Sequence, residues 1–265
     1  MYSKSRLAYK WLVYIIQASS SRGHGIHSPF VYEFIHEVLN DRRSFYAYEK
    51  IEQFKKKLLK DKRTVHMLDW GAGFGKHVGS TRKVSEIATK SLSTKKFGRL
   101  LLRLANFYRP GAILEMGTSL GISTAYLASA DSLARVTTME GSSEIADIAL
   151  QTFRCLDLMN VDLVTGSFED NLDRVVGNDL PYGLIFMDGN HRKEPVLAYF
   201  EKFLRKHPPS CLIVIHDIHW SREMEEAWAV IRGHPDVKMT IDIFSAGLIF
   251  FREEFQVKQQ FTVRF

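Results

Sequence analysis

The chain has 265 residues, 45% of them hydrophobic and 25% charged, with a formal net charge of +6. That balance is ordinary for a globular protein and excludes a disordered, collagen-like or membrane-bundle composition. Two cysteines, Cys155 and Cys211, exclude a disulfide framework and a paired-cysteine zinc motif.

Both cysteines sit in apolar stretches, so both are expected to be buried free thiols. At the start of the chain, Lys4, Arg6 and Lys10 precede the apolar run 11–16. The run is too short to span a bilayer. No clean small-residue cleavage site follows it. The expectation is an amphipathic helix, no membrane span and a cytoplasmic protein. Turn formers fill residues 20–30, and Pro29 is placed to open the next helix. Ile51, Phe54, Leu58 and Leu59 then recur at helical spacing among lysines, and residues 84–88 and 100–107 predict two more helices.

Charge divides the chain at Pro110-Gly111. Residues 1–110 hold 22 basic against 8 acidic side chains, whereas residues 111–265 hold 14 against 22. This predicts a basic, mainly helical region 1–109 and an acidic domain 110–265. The first is expected to cap the substrate side or to mediate dimerisation.

After Pro110 short apolar runs alternate with helical stretches. The runs are 112–114, 136–139, 161–164, 184–187 and 212–215, and helices are predicted from Ile122, from Glu144, and around 196–204 and 224–231. Runs without polar alternation are covered on both faces, which predicts a parallel sheet between helix layers. The last two runs, 239–243 and 247–251, leave no room for a helix and predict an antiparallel pair.

The first run leads into Glu115-Met116-Gly117-Thr118-Ser119-Leu120-Gly121-Ile122-Ser123. Glycines allow close backbone approach to a ligand at the carboxyl end of a strand. A dinucleotide loop would read Gly-x-Gly-x-x-Gly. A carboxylate at this strand end repels a pyrophosphate and suits a cationic sulfonium ligand. The second run ends in Glu140-Gly141-Ser142, placing an acid for the two ribose hydroxyls. Gly166-Ser167-Phe168 follows the third run, Asp188-Gly189-Asn190-His191 the fourth, and His216-Asp217-Ile218-His219 the fifth.

On these motifs, residues 110–252 resemble the class I S-adenosylmethionine (SAM)-dependent methyltransferases, and within them the catechol and caffeoyl-CoA O-methyltransferases. The resemblance implies an α/β, Rossmann-like, seven-stranded, mostly parallel sheet with its last strand antiparallel, plus the helical N-terminal extension. It implies SAM binding by Glu115, Met116, Gly117, Thr118, Ser119, Gly121, Ser123, Glu140, Gly141, Ser142, Gly166, Ser167, Phe168 and Asp188. The expected activity is O-methylation of a small-molecule acceptor, with an anionic acceptor and a homodimer as open options. His191 and Asp188 are the candidate bases, and Lys193 could lower the acceptor's pKa.

The catechol-type enzymes hold Mg²⁺ through two aspartates and an asparagine. Asp188 and Asp217 match the aspartates, but Ile218 stands at the third position, leaving Asn190 as a substitute. A metal is therefore not the leading expectation. A second glycine loop, 69–75, has the denser glycine pattern, but no acid-ended strand follows it. It is read as structural. Two rival functions remain open. The basic region motivates a nucleic-acid (RNA) methyltransferase, although no Asn/Asp-Pro-Pro-Tyr loop follows the fourth run. An intact loop also fits a non-catalytic SAM-binding module.

Overall fold

The computed structural model describes residues 1–19, 23, 27–67, 80–177, 181–206 and 208–265. The glycine loop at 69–75 and His24 lie outside the described residues. The chain opens with α1 (Lys4–Gln17) and α2 (Pro29–Phe34), which runs into a π-helical turn at Ile35–Leu39. Then follow α3 (Tyr46–Leu58), β1 (Thr64–Met67), β2 (Ser80–Lys83), α4 (Val84–Ser91) and α5 (Lys95–Tyr108). From there strands and helices alternate: β3 (Ala112–Met116), α6 (Ile122–Ala128), β4 (Arg135–Glu140), α7 (Ser143–Cys155), β5 (Val161–Thr165) and α8 (Phe168–Gly177). The order continues with β6 (Leu184–Met187), α9 (Lys193–Leu204), β7 (Leu212–His216) and α10 (Arg222–Gly233). It closes with β8 (Met239–Asp242), β9 (Ala246–Phe250) and β10 (Gln259–Thr262).

These elements form two compact units: Arg42–Leu180, and Met1–Asp41 with Pro181–Phe265. In the first, β3, β4 and β5 pair in parallel in that order, with Glu115 beside Thr138 and Glu140 beside Thr165. Strand β3 is buried throughout, as its unbroken apolar run requires. Strand β5 is half-exposed, unlike the expectation of two covered faces, because it pairs on one side only and carries Asp162, which salt-bridges Arg135. Helix α5 buries Phe97, Leu100, Leu101 and Leu104 and packs on α6. A β1–β2 hairpin stands where the sequence predicts only loop and helix.

Within the other unit, β6 and β7 pair in parallel, and β9 is antiparallel to both β7 and β8. The seven predicted runs are thus β3 to β9, and the expected antiparallel closing pair is present. Strand β10 is additional and adds in parallel to β8. Helix α1 belongs to this unit. Its Lys10 ammonium lies 2.8 Å from Glu225 on α10, and the Tyr14 hydroxyl donates to the Val263 carbonyl.

Cys211 is buried, as expected, but Cys155 is exposed. The buried stripe of α7 runs through Ile145, Ile148, Ala149, Thr152 and Phe153 and continues to Leu156, so residue 155 falls off it. Among the described residues, no helix is long and apolar enough to cross a membrane.

Candidate functional site

The carboxyl ends of β3, β4 and β5 bring the glycine loop, Glu140 and the Gly166 turn onto one edge. The loop itself is held by backbone bonds. The Gly117 and Thr118 amides both donate to the Met139 carbonyl, at 3.0 and 3.1 Å, which ties the turn after β3 to β4. Gly117 has φ 105° and Gly121 φ 82°, values that side-chain-bearing residues resist. A Cβ on Gly121 would also stand 2.6 Å from the Phe153 ring. Ser119, between them, is left-handed as well, at φ 48°.

Beneath the loop lies a chain of hydroxyls. Glu115 is fully buried, and its Oε2 accepts from Thr124 and, at 2.6 Å, from Thr138. Because Thr138 gives its one proton to Glu115, the 2.6 Å contact with Thr118 is donated by Thr118. Glu115 thus underpins the loop from within rather than standing open at the strand end. Met116, Thr118 and Ser123 are buried with it.

Glu140 takes the Ser119 amide on Oε2 at 2.8 Å and the Ser142 amide on Oε1 at 3.0 Å. Burial raises its pKa, and the amides of Ser142, Ser119 and Gly141 oppose that shift. A carboxylate has about four lone-pair sites, so acceptor capacity remains beside these amides for a ribose hydroxyl. The Gly166 amide donates to the Glu140 carbonyl, and Gly166 takes φ 124°. Ser167 then caps α8 by accepting from the Asp170 amide, and Phe168 begins that helix, half-buried. The His66 amide donates to Glu144 and the His66 carbonyl accepts from Ser142, so the β1–β2 hairpin is fastened next to Glu140. Hairpin residues were absent from the sequence-derived site, since short polar strands leave no periodic signal.

In the other unit the parallel register pairs Met187 with Ile215, which sets Asp188 beside His216. Their Oδ1–Nδ1 distance is 2.8 Å. His191 Nε2 lies 3.7 Å from the same oxygen, and Asp217 Oδ2 lies 3.7 Å from His216 Nδ1. Burial works against charge on His216, but Asp188 and then Asp217 outweigh it and lift its pKa to about 9. Burial raises Asp217, while His216 and His191 pull it down. Asn190 and Asp217 are both left-handed, at φ 51° and 57°. Asparagine and aspartate tolerate that region best, and such residues gather at functional loops. His216 was only one of several histidines in the sequence, and the strand register singles it out.

Lys193 is not drawn into this cluster: its ammonium lies 3.1 Å from Glu226 on α10. The residues do not fit a dication. The Asn190 oxygen accepts from Arg192, its amide donates to Tyr199, Asp188 faces two imidazoles, and Ile218 is buried. Among the described residues, no group of three or more His, Cys, Asp or Glu side chains is arranged to hold a metal ion.

Residues 114–218 match the family described as "Methyltransferase domain". Over that stretch the chain is similar to methyltransferases. It is 30% identical over 145 residues to a catechol O-methyltransferase of Niastella koreensis, covering 53% of this chain and 65% of that protein. It is 32% identical over 125 residues to a catechol O-methyltransferase of Mycobacterium tuberculosis, covering 46% of this chain and 54% of the other. The chain therefore spans less than two thirds of either relative. In fold it is similar to a SAH-bound Podospora anserina methyltransferase, with a TM-score of 0.59 at 14% identity, covering 96% of this chain and 98% of that one. The matched stretch includes Gly117–Gly121, Glu140, Asp188 and His216.

Proposed function

We propose that the chain transfers a methyl group from SAM to a hydroxyl of a small-molecule acceptor. The observation that carries this reading is Glu140. It ends β4, it is held by the amide of Ser119 from the glycine loop, and it keeps acceptor capacity for a ribose hydroxyl. Gly117, Thr118, Ser119, Gly121 and Ser123 would bear on the amino-acid end, Gly141 and Ser142 on the ribose, and Gly166, Ser167 and Phe168 on the adenine. Glu115 and Met116 hold the loop in shape from below.

SAM supplies an electrophilic methyl group on a sulfonium. The protein's task is to align the acceptor with it and to receive the hydroxyl proton, and alignment alone is worth about 7–11 kcal/mol for well-placed reactants. We assign the proton to the Asp188–His216–His191 cluster. His216, held charged by Asp188 and Asp217, stabilises a developing alkoxide, while Asp188 or His191 accepts the proton. The relatives' catechol activity favours a diphenol-type acceptor.

Calorimetry with SAM tests the cofactor assignment. Gly117→Val should abolish binding and Gly73→Val should leave it. The reverse pattern would move the site to the loop at 69–75.

A further inference from the structure

Helix α1 is unusual in what it leaves uncovered. Nine of its 14 residues are apolar or aromatic, yet Tyr14 is the one side chain it buries. Tyr9, Trp11, Leu12 and Ile16 stand 68, 47, 54 and 77% exposed. Residues 9, 12 and 16 share one helical stripe, and Trp11 is exposed on another side of the helix. All three charged residues of the helix, Lys4, Arg6 and Lys10, are basic. Lys10 fastens the helix to Glu225 on the covered side, together with the Tyr2 hydroxyl at 2.7 Å from the same carboxylate. The helix is thus anchored on one face while its apolar stripe meets solvent.

We propose that α1 docks on an anionic lipid surface, lying in the plane of the headgroups with Tyr9, Leu12 and Ile16 inserted. Charge selects this occupant. A helix bearing only basic residues complements acidic headgroups, and each cation near such a surface adds to the attraction. Area points the same way. A 14-residue helix is about 21 Å long and about 10 Å wide, so one face offers about 200 Å². A stable protein interface buries about 800 Å² on each partner. A bilayer sets no such threshold, because binding grows with each inserted side chain. Tyrosine, here Tyr9, is also a side chain that favours the headgroup level.

Flotation of the full chain with vesicles tests this. It should bind vesicles of phosphatidylcholine mixed with phosphatidylglycerol, bind pure phosphatidylcholine vesicles much more weakly, and be released by salt. Leu12→Ser with Ile16→Ser should weaken binding by roughly tenfold or more. Lys4→Glu with Arg6→Glu should weaken it while leaving the apolar stripe intact. No flotation with anionic vesicles, or equal binding by the Leu12/Ile16 variant, overturns the proposal. So does sedimentation showing that this variant splits a dimer without changing vesicle binding, which would make a second copy the occupant.

Discussion

Asp188 and His216 end neighbouring parallel strands and share a 2.8 Å hydrogen bond. Neither residue is distinctive alone, since acids and histidines commonly end strands. The register makes them a pair, and the pair lies beside His191 and Asp217. Converting His216→Gln keeps a donor and removes the charge. We expect kcat to fall roughly 10²-fold, within the range for a group that stabilises a developing oxyanion. SAM affinity by calorimetry should be unchanged. Equal losses in kcat and SAM affinity would assign the pair to cofactor binding instead.

Glu140 carries the ribose in this account. Glu140→Ala removes a charged acceptor and also frees the Ser119 and Ser142 amides. SAM affinity should weaken by about 1.5–3 kcal/mol, the usual worth of hydrogen bonds to a charged group. An unaltered Kd would take Glu140 out of the site.

Gly121 tests the loop as a packed object. Its φ of 82° and the 2.6 Å approach of a Cβ to Phe153 both oppose a side chain. Gly121→Ala should lower unfolding stability by roughly 1–3 kcal/mol, read from a denaturant midpoint. Pairing it with Phe153→Leu should recover part of the loss, because the clash is with the ring. A neutral Gly121→Ala would show that the loop relaxes freely.

His219 gives a pH signature. Its Nδ1 lies 3.0 Å from Glu225 and its Nε2 2.9 Å from Asp242, with Phe244 stacked on the ring. Burial opposes its charge, but Asp242 and then Glu225 raise its pKa above the usual histidine value. A raised folded-state pKa stabilises the fold below the unfolded value, near about 6.5, and that stability is lost as pH rises through the folded value. His219→Gln should therefore cost about 1.5–3 kcal/mol in mildly acid solution and less in alkaline solution. A penalty independent of pH would reduce His219 to a packing role.

The alternation of runs and helices after Pro110 was legible because buried parallel strands need unbroken apolar segments, and β3, β6 and β7 supply them. The elements missed lack that signal. Strand β2, Ser-Thr-Arg-Lys, has no apolar residue and exists through its pairing with β1. Strand β10 is polar and partly exposed. Helix α8 does carry Phe168, Leu172 and Val175 at helical spacing, a pattern too brief to stand out. At the site, residue types and order were readable, but orientation was not. Glu115 reads as a ligand-facing acid, and only the side chains of Thr124 and Thr138 show it turned inward. Lys193 reads as substrate-facing, and the contact with Glu226, distant in sequence, decides otherwise.

Turnover separates methyl transfer from SAM binding alone. The 265-residue chain is incubated with methyl-labelled SAM and a panel of diphenols and other small hydroxyl acceptors, and label in the extracted acceptor is counted. Label should be transferred by the native protein, lost with Gly117→Val, and reduced roughly 10²-fold with His216→Gln. SAM binding with no transfer to any hydroxyl acceptor would contradict methyl transfer and leave a SAM-binding module without this catalysis.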